Sequence, residues 1–396
     1  MKIGFLSARD PTDRKSWSGL IFYFYNALKS IADEVEYLRL PPSRELQLAT
    51  RVVSKMRRVL KVRGDITQSV PLSMVYGKLY RQAILASGCD LVFSPAASTE
   101  IGYLRSPVPV MYLSDATFRV MENYYYPLSE VHRITRWEGN HLEKRAIRNS
   151  AALIYASDWA AHSAIEHYGA NPDKTNIIPF GANMDDVPAR ASLSEGSTDG
   201  RLRLLFVGRD WERKGGQIAF DALLALLDHG IDVELTVIGC TPAGNLAHSS
   251  LRLIPHLDKN LPEQRAMLAE FYRTSDIFLL PTRAECSGVV FCEAGAYGLP
   301  IVSTQTGGVP TVVVEGVNGL LLPHSADGKA YAETVAALWR DRAAYLKMRH
   351  SSRDRYDTTL NWTAWAAKVR PLLERLALIK QSRSQGEQSP KAQPFH

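Results

Sequence analysis

Cysteine is scarce in this chain of 396 residues. Cys89, Cys240, Cys286 and Cys292 are scattered, and none belongs to a C-x-x-C pair. A disulfide framework and a structural zinc site are therefore not expected, and a reducing cytoplasm fits that usage. Long apolar runs are missing too. No stretch of about 18 apolar residues occurs, so no transmembrane helix is expected and any membrane contact is peripheral. The amino-terminal Met1-Lys2-Ile3-Gly4-Phe5-Leu6-Ser7 turns charged too soon for a signal peptide. The first strand is not followed by G-x-G-x-x-G, so a dinucleotide fingerprint is absent. No zinc-finger spacing and no RNA-recognition motif is present. Charge of one sign is also modest: Lys+Arg 47 against Asp+Glu 41 gives +6. That excess is too diffuse for a nucleic-acid partner, yet it suits a phosphate-bearing substrate or an acidic membrane face.

What is there is the balance of a soluble globular protein, 45% hydrophobic and 22% charged. The length exceeds one ordinary core and points to two domains. Residues 2–7 read as a buried strand, 8–17 as a polar loop and 20–28 as a helix, which is the opening of a Rossmann-like unit. Further strands are expected at 35–39, 90–94, 109–113 and 152–155. The clearest linker is 188–201, where Pro188, Ser192, Ser194, Gly196 and Gly200 break any periodicity. A second strand-loop-helix opening follows at 202–227, with strands continuing at 233–238, 277–280, 301–304 and 320–322. The expected organisation is α/β: domain one over 1–187, the linker, domain two over 202–360, a helix over 361–380 crossing back to domain one, and a disordered tail over 381–396.

The stretch 43–62 stands apart. Leu48, Val52, Val53, Met56, Val59 and Leu60 recur at helical spacing, with Arg51, Lys55, Arg57, Arg58 and Lys61 between them. This is a basic amphipathic helix. It reads either as a surface helix packed on its own domain or as a peripheral contact with an anionic membrane.

Three blocks carry chemistry. In Phe206-Val207-Gly208-Arg209-Asp210-Trp211-Glu212-Arg213-Lys214-Gly215-Gly216, a strand runs into a glycine turn and two separated cations. Strand carboxyl ends face the ligand crevice of an open α/β sheet. Arg209 and Lys214 are thus either solvated loop cations or a pair converging on one anion. In Glu285-Cys286-Ser287-Gly288-Val289-Val290-Phe291-Cys292-Glu293, two carboxylates flank a helix start near Ser287 or Gly288. Its free N–H groups offer an anion site, and the carboxylates can bind sugar hydroxyls. Gly307-Gly308, after the strand that follows Gly298-Leu299-Pro300, lets backbone approach a ligand or forms a plain tight turn.

In order and in residues, these blocks resemble family 4 of the retaining glycosyltransferases. The resemblance covers roughly residues 140–325 and includes Ile154-Tyr155-Ala156-Ser157 and Ile178-Pro179-Phe180-Gly181-Ala182. It implies a GT-B fold, two Rossmann-like domains facing each other across a cleft, with a nucleotide-sugar donor held by the second. By matching positions, Gly208, Arg209 and Lys214 would meet the donor diphosphate, with Ser287, Gly288 and Val289 at the helix start. Glu293 would bind the ribose, Glu285 would sit near the donor sugar, and Gly19 would approach the donor phosphate. Such enzymes usually need no metal, and no Asp-x-Asp occurs in this chain. The implied acceptor is a hydroxyl of a glycan or a lipid-linked molecule, in polysaccharide or glycoconjugate assembly.

This sequence departs from the pattern at three places. Where relatives carry a histidine near the reacting sugar, Ser114 or Asp115 stands here. Thr311 replaces a glutamate after Gly307-Gly308, and Cys286-Ser287 replaces a commoner Gly-Phe pair. Tyr124-Tyr125-Tyr126 reads as core aromatics or as a platform for a sugar or lipid carrier. Two other functions share the architecture: a sugar-nucleotide epimerase, and a nucleotide-binding subunit without turnover.

Overall fold

The computed structural model describes residues 1–387 apart from 63–66, 126–129, 194, 198, 243, 245 and 255. Among these described residues, twelve strands form two all-parallel sheets. The first contains β1 (Lys2–Phe5), β2 (Glu34–Tyr37), β3 (Leu91–Pro95), β4 (Val110–Ser114), β5 (Ala152–Tyr155) and β6 (Thr175–Ile177), in the order β2-β1-β3-β4-β5-β6. The second contains β7 (Leu202–Val207), β8 (Val233–Ile238), β9 (Leu251–Ile254), β10 (Ile277–Leu280), β11 (Ile301–Thr304) and β12 (Gly319–Leu322), in the order β12-β11-β10-β7-β8-β9. Parallel strands buried on both faces read as continuous apolar runs. That is the pattern of Ile277-Phe278-Leu279-Leu280, all four fully buried.

The strand order reverses beside β1 in the first sheet and beside β7 in the second. Ligand crevices open at such switch points, outside the carboxyl ends of the strands. The loops after β1, β4, β7 and β10 therefore hold the positions from which a site can be built.

The helix Leu20–Lys29 buries Leu20, Ile21, Phe24, Ala27 and Leu28, a 3.6-residue stripe, on the first sheet. The last helix, Trp362–Glu387, belongs by sequence to the second half but packs on the first. Trp365, Val369, Leu373 and Leu376 share a core with Phe5, Phe24 and Phe93. Burying such side chains is worth roughly 1.5–3 kcal/mol each before entropy. The helix runs on through 381–387, where the sequence suggested a disordered tail, because its periodic apolar anchor upstream carries the polar turns along. The rest of that expected tail, 388–396, lies outside the described residues.

The basic helix spans Arg44–Val59, capped by the Ser43 side chain on the N–H of Leu46. Of the apolar positions named for it, only Val53 is buried. The helix is thus seated on its own domain through Val53 and Arg57, while the rest of its apolar positions are left exposed.

Candidate active site

A cavity of about 370 Å³ opens where the two sheets face each other, walled by the loops after β1, β4, β7 and β10. Gly208, Arg209, Lys214, Asp115, Glu285, Ser287, Gly288 and Val289, all singled out from the sequence, line it. Gly19 and Glu293 do not. Gly19 stands just behind the wall formed by Ser18 and Leu20, and Glu293 lies beneath Lys259.

The centre is a buried ion pair. Lys214 Nζ donates to Glu285 Oε2, and both side chains are about nine-tenths buried. Glu285 Oε1 accepts from the N–H of Gly288, the residue that opens the helix Val289–Ala296. Burial alone would raise the Glu285 pKa, but Lys214, with Arg213 and the Gly288 N–H, brings it below the usual carboxylate value. Glu285 is thus held as an anion with its oxygens already committed. Arg209 is exposed and makes no ion pair among the described residues. Its charge, after burial, helps hold the His256 pKa below the usual histidine value.

Across the cleft, Asp115 follows β4. Ser114, the other residue weighed for this place, turns away and closes a bond from its Oγ to the Ala116 carbonyl at 2.7 Å. Asp115 faces Glu285. Burial and the like charge of Glu285 push its pKa to about 7, against a hydrogen bond from the Trp17 side chain. Trp17 and Ser18 have φ of 47° and 56°, left-handed values that cost free energy for residues with a Cβ. The strain is held by Asn183, whose Nδ2 donates to the Ser18 carbonyl at 2.9 Å and whose Oδ1 accepts from Trp362 Nε1 at 3.2 Å.

Glu293 is 1% exposed. Its Oε1 accepts from Lys259 at 2.6 Å and its Oε2 from the Tyr272 hydroxyl at 2.9 Å. Lys259, which the sequence did not suggest, therefore bridges the cavity wall and the buried acid.

The tyrosine run divides. Tyr124 does not present an open platform. Its hydroxyl accepts from Glu285 N–H at 2.8 Å and meets Thr306 Oγ1 at 3.0 Å, while its ring packs on Trp159 at 4.9 Å. A Cβ at Gly307 would overlap that hydroxyl and the Glu285 carbonyl, which is why glycine is needed there. Gly307-Gly308 thus presses on the backbone of Glu285-Cys286 rather than on open space. Tyr125 lies in the cavity wall beneath Arg213, 4.9 Å from guanidinium to ring centre. Tyr126 lies outside the described residues. Thr311 is taken up by a cross-cleft contact, donating to Asp158 Oδ2 at 3.0 Å and accepting the Asp158 N–H at 3.2 Å.

The lining as a whole is positive. Arg14, Lys15, Arg209, Arg213, Lys214 and Lys259 face two carboxylates, Asp115 and Glu285. Ser287 Oγ is buried there without a partner among the described residues, a group that a bound acceptor atom would satisfy. Among the described residues no group of three His, Cys, Asp or Glu is placed to hold a metal ion.

Residues 201–341 match the family described as glycosyl transferases group 1. The chain is 31% identical over 239 residues to the D-inositol 3-phosphate glycosyltransferase of Pseudarthrobacter chlorophenolicus. That match takes in 57% of this chain and 56% of the relative, so the chain spans little more than half the length of the relative it resembles. In fold it is similar to the sucrose-phosphate synthase of Thermosynechococcus elongatus, with TM-score 0.67, 16% identity and 96% and 99% of the two chains covered. It is also similar to an Anabaena protein solved with UDP and glucose, with TM-score 0.59, 16% identity and 95% and 100% covered. The two-sheet arrangement is thus the GT-B fold.

Proposed function

We propose, from the match of residues 201–341 to the glycosyl transferases group 1, that this chain moves a sugar from a nucleoside-diphosphate-sugar to a hydroxyl of a glycan or lipid-linked acceptor. One observation carries the reading. One cleft cavity combines an exposed arginine, a buried lysine-carboxylate pair and a helix start whose buried Ser287 hydroxyl has no partner among the described residues. A diphosphate needs cations and N–H donors, and a sugar needs fixed carboxylates; this wall has both.

In the proposed reaction the bond from the anomeric carbon to the diphosphate oxygen breaks. The acceptor oxygen bonds to that carbon on the same face, and its proton passes to the departing diphosphate. Arg209 and Lys214 stabilise the negative charge that grows on the leaving oxygens. Glu285, fixed by Lys214 and Gly288 N–H, orients the donor sugar instead of attacking it. Asp115, with a pKa near 7, holds a carboxyl that can donate or accept at a sugar hydroxyl beside the reacting carbon. Glu293 reaches the ribose once Lys259 turns from it to the phosphates. No protein-held metal takes part, since the cations named meet the diphosphate charge.

Arg14 and Lys15 on the first-domain wall, which would have to turn from Asp185 and Asp258 to meet a phosphate, favour a second acceptor class, a phosphorylated cyclitol, in line with the name carried by the relative above. The test incubates the protein with UDP-, GDP-, ADP- and dTDP-sugars, with and without a chelator, in the presence of inositol 3-phosphate or a lipid-linked glycan. Acceptor-dependent release of one nucleoside diphosphate, a product that keeps the donor's anomeric configuration and insensitivity to the chelator are expected. A new sugar-nucleotide formed without acceptor would make the protein an epimerase. Binding without any turnover would make it a donor-holding subunit.

A further inference from the structure

We propose that the helix Arg44–Val59 and the adjoining start of the helix Arg133–Asn149 form one docking face for an anionic lipid bilayer. Leu48, Val52, Met56, Val59 and Leu60 are 48–72% exposed. At 3.6 residues per turn they occupy one arc of roughly 120°. Arg44, Arg51, Lys55 and Arg58, all exposed, fall in a row along one border of that arc. Beyond the other border of the arc, Val53 and Arg57 are buried and fix the helix to the domain. Apolar stripe, basic border and anchored back are the three parts of a helix that lies in a membrane interface.

A second element extends the face. Arg57 Nη2 donates to Glu138 Oε2 at 2.7 Å, a buried ion pair that ties the basic helix to the helix Arg133–Asn149. Next to Glu138, Trp137 is 60% exposed, and Ile134 and the cations Arg133 and Arg136 stand out beside it. An exposed tryptophan among arginines suits the headgroup level of a bilayer.

The charge pattern chooses the occupant. A second copy of the chain would bring two basic rows into one interface, and a nucleic acid would leave the apolar stripe against water. An anionic bilayer satisfies both halves. The face also connects to the cleft: Asn140 donates to Glu122 at 2.6 Å, and Glu122 adjoins Met121, which lines the cavity with Tyr125. An acceptor held in the bilayer would thus arrive on the first-domain side of the site. The docking face itself stands independently of the nucleotide reading.

The test is flotation of the full chain with phosphatidylglycerol/phosphatidylcholine vesicles and with phosphatidylcholine alone, at low and high salt. Two variants are compared: Arg51→Gln/Lys55→Gln/Arg58→Gln and Leu48→Ser/Val52→Ser/Met56→Ser. Wild type is expected to float with the anionic vesicles at low salt. The charge variant should bind about 100-fold more weakly, since each cation near an anionic surface is worth about fivefold. The stripe variant should lose at least about tenfold. Quenching of tryptophan fluorescence by brominated lipid should fall in Trp137→Phe. No flotation with anionic vesicles, or flotation untouched by both variants, overturns the proposal. So does a dimer in solution that the stripe variant disperses, which would give the face to a second copy. Nucleotide binding plays no part in the readout, so failure here leaves the donor site standing.

Discussion

Lys214 carries two loads in this site: it neutralises Glu285 and, in the proposed reaction, it meets the leaving diphosphate. Lys214→Ala is expected to lower turnover at least about 100-fold, the scale of losing one electrostatic donor in a closed site. Steady-state rates checked alongside the melting temperature separate lost chemistry from lost folding. A near-wild-type rate removes Lys214 from this role. Asp115 gives a sharper signature. Its pKa of about 7 exceeds its ordinary 3.8. The folded protein therefore keeps a proton that the unfolded chain releases, and stability falls as pH rises between those values. Asp115→Asn cannot ionise. Its melting temperature relative to wild type is expected to climb from about pH 4 to about pH 7 and then level off; a flat difference contradicts the assignment. Most of these residues were legible in the sequence, because a glycine ending a strand marks where side chains meet a ligand. Arg213 and Lys259 were not. Arg213 is one more cation in a basic loop, and its place over Tyr125 depends on the opposing domain. Lys259 reaches Glu293 from 34 positions away in the chain, and no local pattern announces that.

At the scale of elements, buried parallel strands were readable because both faces are apolar. The strands β6 and β9 were missed for the converse reason: Thr175-Asn176-Ile177 has no buried position and Leu251–Ile254 is a half-exposed edge. The amphipathic period of Arg44–Val59 was readable too, but not which way the helix would face. That choice falls to the Arg57–Glu138 pair and the N–H of Val70 on Glu138 Oε1 at 2.9 Å. Removing one partner of a buried pair strands the other charge. Glu138→Ala is expected to cost roughly 3–5 kcal/mol in urea unfolding, and to raise amide exchange first in Arg44–Val59. A loss below about 1 kcal/mol would show that the helix is held by Val53 and its neighbours alone.

For the molecule as a whole, the two sheets are joined by contacts that surround the cavity. Lys15 pairs with Asp258 at 2.8 Å, Tyr124 meets the Glu285 backbone, and Asp158 meets Thr311. The helix Trp362–Glu387 returns to the first core and, through Trp362 and Asn183, fixes the loop that carries Trp17 and Ser18. A site built between two domains is visible in sequence only as separate blocks, since nothing local states that they converge. The central claim is that they converge on a nucleoside diphosphate. Calorimetric titration of the protein with UDP, GDP, ADP and dTDP, repeated on Arg209→Ala, tests it. Arg209 is exposed and makes no ion pair among the described residues, so its loss is expected to leave the fold intact. One nucleotide is expected to bind best, and Arg209→Ala to weaken it about tenfold or more, the worth of a hydrogen bond to a charged group. No binding of any of the four by well-folded protein would contradict the account.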